Sequence, residues 1–502
     1  MNLDSSLDRG TPNRLVIREP ASQTVISELE IKTEQDLHSA VSNAARAQHS
    51  WASRDCSSRL RHIQAWRNKI LAHGDEIAAT LSRENGKPIH EAWLHELLPL
   101  YSAMSWLIDE SSEILADRAI SLRWLKQYRS TLSSRPRGQC LIISPYNFPL
   151  LIPFSDAVAA LASGCSVVIK PSEHTPLTAL LLARLASEVG IDPALLQVFP
   201  GGPDTARALL EAEIDEVVFT GSLGHGREVA RSCAERLIPC TLELGGKASL
   251  LAFEDADIEL AASAAVFGAL ANSGQSCIAV ERVIVHRRIK AAFLESILNR
   301  VRTLRQGNPA NLEVDLGALT SSRHIDHIQA QVNSAVADGA TLMCGGLRLS
   351  GPGNFYAPTI LDGCTSRMPV VSEETFGPII PIVTVDSVGE ALALANTGAC
   401  GLAAYLFGRD ESRLHALAPQ IRAGHILLND VLWSYVCPEI PFGGHDQSGF
   451  GLVHGPEGLK SHTRPVHVGT KRLRLPEMFG IGFPYSEKTR GFLKHTLRLI
   501  TR

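Results

Sequence analysis

GQCLIISPYNFPLLIPFSDAVAALASGCSVVIKPSEHTP, residues 138–176, places two short apolar runs on either side of a longer segment. CLIISP (140–145) and SVVIKP (166–171) are brief, rich in Ile and Val and bounded by Gly and Pro, the pattern of strands buried on both faces. The residues between them reach Ser163 with helical spacing and stop at Gly164, where a glycine ends a helix most easily. A strand, a crossover helix and a second strand make a parallel pair, because an antiparallel return needs only a tight turn. The cycle then repeats: a helix to Val189, LLQVFP (195–200), EVVFTG (216–221) and CTLELG (240–245). An α/β fold follows, with a parallel sheet covered by helices on both faces. In such sheets ligands collect beyond the carboxyl ends of strands. Here those places hold Ser144–Asn147, Lys170–Glu173, Gly201–Gly202, Thr220–Ser222 and Glu243–Gly246.

Outward from this core, a second α/β series runs from about Leu250 to Asn429, with RVIVHR, TLMCGG, PIIPIVTV, AAYLFG and HILLND as strands. Toward the start, LVIREP and VISELEI read as a short extended pair, and residues 34–113 as helices. AISLRWLKQYRSTLSSR (119–135) is polar and β-like and fits neither sheet. An arm pairing with another subunit and a surface hairpin on the same subunit both account for it.

The 502 residues suit two or three domains of ordinary size. With 48 Lys plus Arg against 52 Asp plus Glu, the net charge of -4 leaves no basic footprint for nucleic acid. No run of 18 apolar residues occurs, and the opening residues lack the basic patch and apolar stretch of a secretory signal, so a cytoplasmic protein is expected. The ten cysteines form no C-x-x-C pair and give neither a disulfide framework nor a metal spacing; no metal is expected.

Three residues invite a chemical reading. Cys277 ends GQSC, a flexible turn of small residues after a helical run, where a thiol can face a cleft. Glu243 closes a buried strand at a glycine turn, an awkward place for a carboxylate unless it has a task or a backbone partner. Asn147 lies in a Pro-flanked loop after a strand, where its amide can serve the turn or donate to a developing oxyanion.

SPYNFP, KPSE, FTGS, LELGGK, GQSC, EETFGP and PFGG-x-x-x-SG follow one another along the chain, with Glu243 and Cys277 separated by 34 positions and Cys277 and Glu374 by 97. This ordered series, from about residue 20 to 470, resembles the aldehyde dehydrogenase superfamily. The resemblance implies Cys277 as nucleophile, Glu243 as general base, and Asn147 with the Cys277 backbone amide as oxyanion donors. It implies two Rossmann-like parallel-sheet domains with a small β oligomerisation arm. The cofactor-binding domain would comprise 1–118 and 137–245, the catalytic domain 246–445, the arm 119–136 and 446–475, and a basic amphipathic tail 476–502.

For the cofactor, the resemblance implies that Lys170, Ser172 and Glu173 hold the adenosine ribose, while Glu374 and Phe376 place the nicotinamide ribose and ring. Ile143, Ser144 and Pro145 would lie alongside, with Gly202, Thr220 and Leu244 at neighbouring strand ends. Gly221 and Ser222 open a helix, with Gly226 one turn inside, whose N-terminus suits a pyrophosphate. A Glu173 carboxylate would bond a 2′-hydroxyl and repel a 2′-phosphate, so NAD is expected over NADP. Asp156, nine positions after Asn147, stands where many family members carry a lysine, which puts cysteine activation in question.

The pocket would be walled by Phe148, Ile278, Leu432, Trp433 and Tyr435, with no Arg or Lys in the NDVLWSYV loop to anchor a second carboxylate. A hydrophobic aliphatic or aromatic aldehyde is therefore expected, with a succinic-semialdehyde-type enzyme as the alternative. An acylating enzyme would lack Glu243, and a silent binding protein would have little use for the full set. A homodimer or homotetramer is implied. The tail alternates Lys488, Arg490, Lys494 and Arg498 with apolar residues, which suits docking on the parent domain or subunit, or weak contact with a membrane surface.

Overall fold

The computed structural model describes residues 14–123, 126, 128–472 and 483–500. The start of the first domain and parts of the tail, 476–482 and 501–502, lie outside the described residues. Two sheets dominate, of six and seven strands.

In the first sheet, Leu196–Val198, Ser166–Lys170, Gln139–Ile143, Glu216–Gly221 and Cys240–Leu244 lie side by side in that order, all parallel. Their near-complete burial follows from helices on both faces: Leu151–Ser163 and Leu177–Glu188 pack on one side, with Leu223–Arg236 on the other. Strand order reverses between Gln139–Ile143 and Glu216–Gly221, which opens a crevice beyond Ile143 and Gly221.

The second sheet runs Thr341–Cys344, Thr359–Asp362, Ile379–Val385, Arg282–His286, Ser249–Ala252, Ala403–Phe407 and His425–Leu428. Only Thr341–Cys344 is antiparallel. The two sheets are joined by the turn 245–248, so the end of Cys240–Leu244 and the start of Ser249–Ala252 face one cleft. One apolar core runs continuously through both domains, from Trp51 and Phe154 to Leu250 and Tyr405.

The expected extended pair is Arg14–Arg18 with Val25–Glu30, and helices fill 34–114. The polar segment forms strand Tyr128–Pro136, between Arg118–Ile120 and Thr463–Lys471 of the same chain. The expected arm boundary needs correction at 446–462. Gly449–Phe450 pairs with Cys240–Leu244 as an antiparallel edge of the first sheet, and helix Gly455–Ser461 packs on Leu151–Ser163. A glycine at 449, φ +114 against Leu242 O, permits that close pairing. Among the described residues of 446–475, only Thr463–Lys471 joins the arm. Its root is pinned by His462, whose Nδ1 lies 3.0 Å from Glu216 Oε2. Residues Glu487–Ile500 of the tail are helical, with Leu493 and Leu497 exposed. No helix among the described residues is long and apolar enough to cross a membrane.

Candidate active site

Helix Ile258–Leu270 ends in a cramped turn that carries GQSC. Asn272 and Ser273 both have φ above +50°, a conformation that costs non-glycine residues of order 1–3 kcal/mol each. Tertiary bonds hold them there. Asn272 N–H donates to Glu91 Oε1 at 2.8 Å, Ser273 Oγ donates to Gly317 O at 3.1 Å, and Gln275 Oε1 accepts the Thr320 N–H at 3.0 Å. Gly274, at φ +76, lies so close to Gly377 O that no Cβ fits. The turn that carries Cys277 is thereby pressed against the EETFGP segment.

Glu243 reaches the same point from the first sheet. Beyond it, a Cβ on Gly246 would lie 2.5 Å from Cys277 O, and one on Gly245 would lie 2.5 Å from Glu374 Oε2. The two glycines let one turn touch the Cys277 backbone and the Glu374 carboxylate at once, and Gly246 N–H donates to Glu374 Oε1 at 3.1 Å. Glu243 is 5% exposed, and neither of its carboxylate oxygens has a partner among the described residues. Burial, reinforced by the Asp156 carboxylate, pushes its pKa well above the usual range. Burial also pushes the Cys277 thiol up to about 12, with further contributions from Glu243 and Glu374; the Cys277 and Ile278 N–H groups act in the opposite sense. The thiol is therefore protonated at rest near neutral pH, and the Glu243 carboxyl is driven toward its neutral form.

Asn147 completes the cluster. Its Nδ2 donates to Gln275 O at 3.0 Å, two residues before Cys277, and the amide keeps a second N–H to give. Its own carbonyl accepts from Lys87 Nζ and Asn272 Nδ2, each at 2.9 Å. Lys87 is fully buried against Glu96, whose other oxygen accepts the N–H groups of Leu150 and Leu151 at 2.8 and 3.0 Å. This ion pair fixes the loop on which Asn147 sits.

The residues expected to hold the cofactor gather at the switch-point crevice of the first sheet. Ile143, Ser144, Lys170 and Ser172 are buried, and Ser144 Oγ lacks a described partner. Burial lowers the Lys170 ammonium, offset in part by Glu173, whose Oε2 lies 3.5 Å away. A vicinal diol between this loose pair would satisfy donor and acceptor together. Pro145, Thr220 and Gly221 are half-buried at the rim, and Gly202 starts helix Pro203–Glu211. Ser222 caps the 14-residue helix Leu223–Arg236, and open space at Gly224 leaves its first turn free for a phosphate. The residues fit a dinucleotide. Gly226 has a packing reason of its own: a Cβ there would strike Leu244, so the glycine lets helix close on sheet.

On the substrate side, Tyr435 packs edge-on to Phe442 at 4.7 Å, and its phenol feels Asp156, Glu243 and Cys277. Phe148 presents a face to Lys87 Nζ at 4.3 Å. Leu432 is half-buried, Trp433 is 39% exposed at the solvent edge, and Ile278 packs into the core behind the nucleophile. Asp156 acts electrostatically on Glu243, whereas the Cys277 thiol is raised first by burial and then by Glu243 and Glu374.

Sequence reading missed the supports: Lys87, Glu96, Glu91, Gln275 and the Lys247–Glu281 pair, 2.7 Å apart. Glu281 receives the N–H groups of Thr375 and Phe376 at 2.9 and 2.8 Å. The available signal was a charge in an apolar run, as in AVERVIV, which must find a partner when buried.

Residues 8–468 match the model of the aldehyde dehydrogenase family. The chain is 34% identical to the 4,4′-diapolycopene aldehyde oxidase of a Methylomonas species, over 91% of this chain and 86% of that one. It is 33% identical to the mitochondrial succinate-semialdehyde dehydrogenase of Rattus norvegicus, over 91% and 88%. A Mycobacterium tuberculosis aldehyde dehydrogenase complexed with NAD+ superposes with a TM-score of 0.87 at 31% identity, covering 91% of this chain and 95% of that one. Together with the ordered motifs and the converging Cys277, Glu243 and Asn147, these matches show that the chain is an enzyme of the aldehyde dehydrogenase family.

Proposed function

We propose that the enzyme oxidises a hydrophobic aliphatic or aromatic aldehyde to its carboxylic acid with NAD, through a covalent adduct on Cys277. The observation that carries this reading is the meeting of Cys277, Glu243 and Asn147, enforced by Gly246 at one contact and Gln275 at the other. The thiol gives its proton to solvent water before addition, and Glu243, when ionised, keeps two unpartnered oxygens for the hydrolytic step. Sγ then adds to the carbonyl carbon. The resulting oxyanion accepts hydrogen bonds from Asn147 Nδ2 and the Cys277 N–H, each such donor typically worth about 3–4 kcal/mol. NAD, when bound, supplies the hydride acceptor. The thioester left on Cys277 is attacked by a water whose proton Glu243 takes, and the thiol leaves with the acid released.

The half-buried Leu432 and Tyr435 support an apolar substrate, as does the engagement of Lys87 by Glu96, which leaves that cation no anion to seek. Kinship with succinate-semialdehyde dehydrogenases supports the second reading, a dicarboxylic semialdehyde. NADH absorbance across a graded aldehyde panel, with Cys277→Ala in parallel, tests both. A rate growing with apolar chain length and abolished in the variant supports the first reading; preference for succinic semialdehyde overturns it. The arm sheet suits assembly into a dimer or tetramer, and exposed Leu493 and Leu497 beside Lys494 suit weak contact with an anionic membrane surface.

A further inference from the structure

The segment Glu374–Phe376 is held in place on both sides. Phe376 has φ +54, a left-handed conformation that a bulky side chain does not keep without outside restraint. On one side Glu281 accepts the N–H groups of Thr375 and Phe376. On the other, helix Ser322–Ala337 presents His324, His327 and Gln331, which share a face because they are three and four positions apart. His324 Nε2 lies 3.0 Å from Thr375 O and 2.9 Å from Phe376 O. His327 Nε2 lies 3.2 Å from Glu374 O, and Gln331 Nε2 donates to the same oxygen at 3.4 Å.

Two carbonyls facing one ring nitrogen require a proton there, and burial keeps the His324 ring neutral, so its single N–H is on Nε2. The His324 ring also meets the Phe376 ring edge-on at 6.0 Å, as does Tyr146 at 6.2 Å. None of these bonds reaches Cys277, Glu243 or Asn147.

We propose that His324 and His327 are positioning residues for the nicotinamide-ribose end of the dinucleotide: they tether the strained segment that carries Glu374 and Phe376 to helix Ser322–Ala337. The inference rests on the reading above that this segment receives the cofactor. Without the tether, Phe376 relaxes toward negative φ and Glu374 loses its aim. Cofactor affinity and the oxidation step then fall, while acyl chemistry at Cys277 continues.

The test compares His324→Leu, His324→Gln and His327→Leu with the wild type in three measurements: NAD dissociation constant by tryptophan fluorescence, KM for NAD in aldehyde oxidation, and cofactor-independent hydrolysis of p-nitrophenyl acetate. His324→Leu is expected to raise the NAD constants about tenfold, the size of one lost hydrogen bond near the upper end of its range, with ester hydrolysis within about twofold. His324→Gln, whose amide N–H can reach the same carbonyls, is expected to restore most of the affinity. Unchanged NAD constants in His324→Leu, a Gln variant no better than Leu, or a parallel loss of ester hydrolysis would each overturn the proposal. If His324→Leu does not fold, His327→Leu, at the exposed end of the tether, carries the same comparison with a smaller rise, and no rise there refutes it. Failure of wild-type NADH production with intact NAD binding would count against the assigned reaction and leave this comparison standing.

Discussion

Replacing Glu243 by Gln isolates the hydrolytic half of the proposed cycle. The side chain is 5% exposed and neither oxygen is bonded among the described residues, so an isosteric amide strands no protein partner. The loss is therefore chemical. A placed general base contributes about 10²–10⁴ in rate, or about 3–5 kcal/mol in the barrier for thioester hydrolysis. Thiol ionisation should move the other way: the Glu243 charge is the second cause, after burial, of the raised Cys277 pKa, so its removal lowers that pKa. Stopped-flow NADH absorbance is expected to show a burst close to one equivalent per active site, then a steady rate slowed by that factor, with the acyl adduct visible by mass spectrometry. Iodoacetamide labelling of Cys277 should reach half its maximal rate at lower pH than in the wild type. A steady rate like the wild type's, or a slow rate with neither burst nor adduct, would refute the assignment of Glu243 to hydrolysis.

Asn147→Ala should lower kcat about 10²–10³-fold while leaving NAD fluorescence titrations unchanged; a loss confined to KM would remove Asn147 from the oxyanion site. Lys87→Met leaves Glu96 buried without its partner and should cost about 3–5 kcal/mol, seen as a lower denaturation midpoint, whereas an unchanged midpoint would mean that the pair does not hold the 147–151 loop. Asp156 is raised by burial from 3.8 to about 7; His462 works against that rise and Glu216 adds to it. Its neutral form favours the fold fully below the unfolded value, and that contribution is lost as pH rises from 3.8 toward 7, by at most about 4 kcal/mol. Asp156→Asn should flatten that part of the stability profile, and parallel urea curves for the two proteins would contradict it.

The parallel first sheet was legible because its strands are buried on both faces and read as unbroken apolar runs set off by Gly and Pro. Ser249–Ala252 and Thr359–Asp362 were not identified as strands beforehand. Each is only four residues long, one directly behind a glycine turn and the other after a proline, where local pattern cannot separate strand from loop. The arm boundary erred for a related reason: Gly449–Phe450 is two residues long, and its pairing with Cys240–Leu244 depends on a contact between segments two hundred positions apart.

By itself the sequence determined the α/β class and the family, and singled out Cys277, Glu243 and Asn147 as candidates, because these rest on residue type, local period and motif order. Tertiary structure alone decided what holds them. Asn147 meets the nucleophile through Gln275 O, Lys87 finds Glu96, Glu281 and His324 grip opposite sides of the Glu374–Phe376 segment, and Asp156 acts on the base rather than the thiol. Each of these is a buried polar contact between distant segments. The desolvation cost that makes such a contact obligatory exists only once the chain has closed around it.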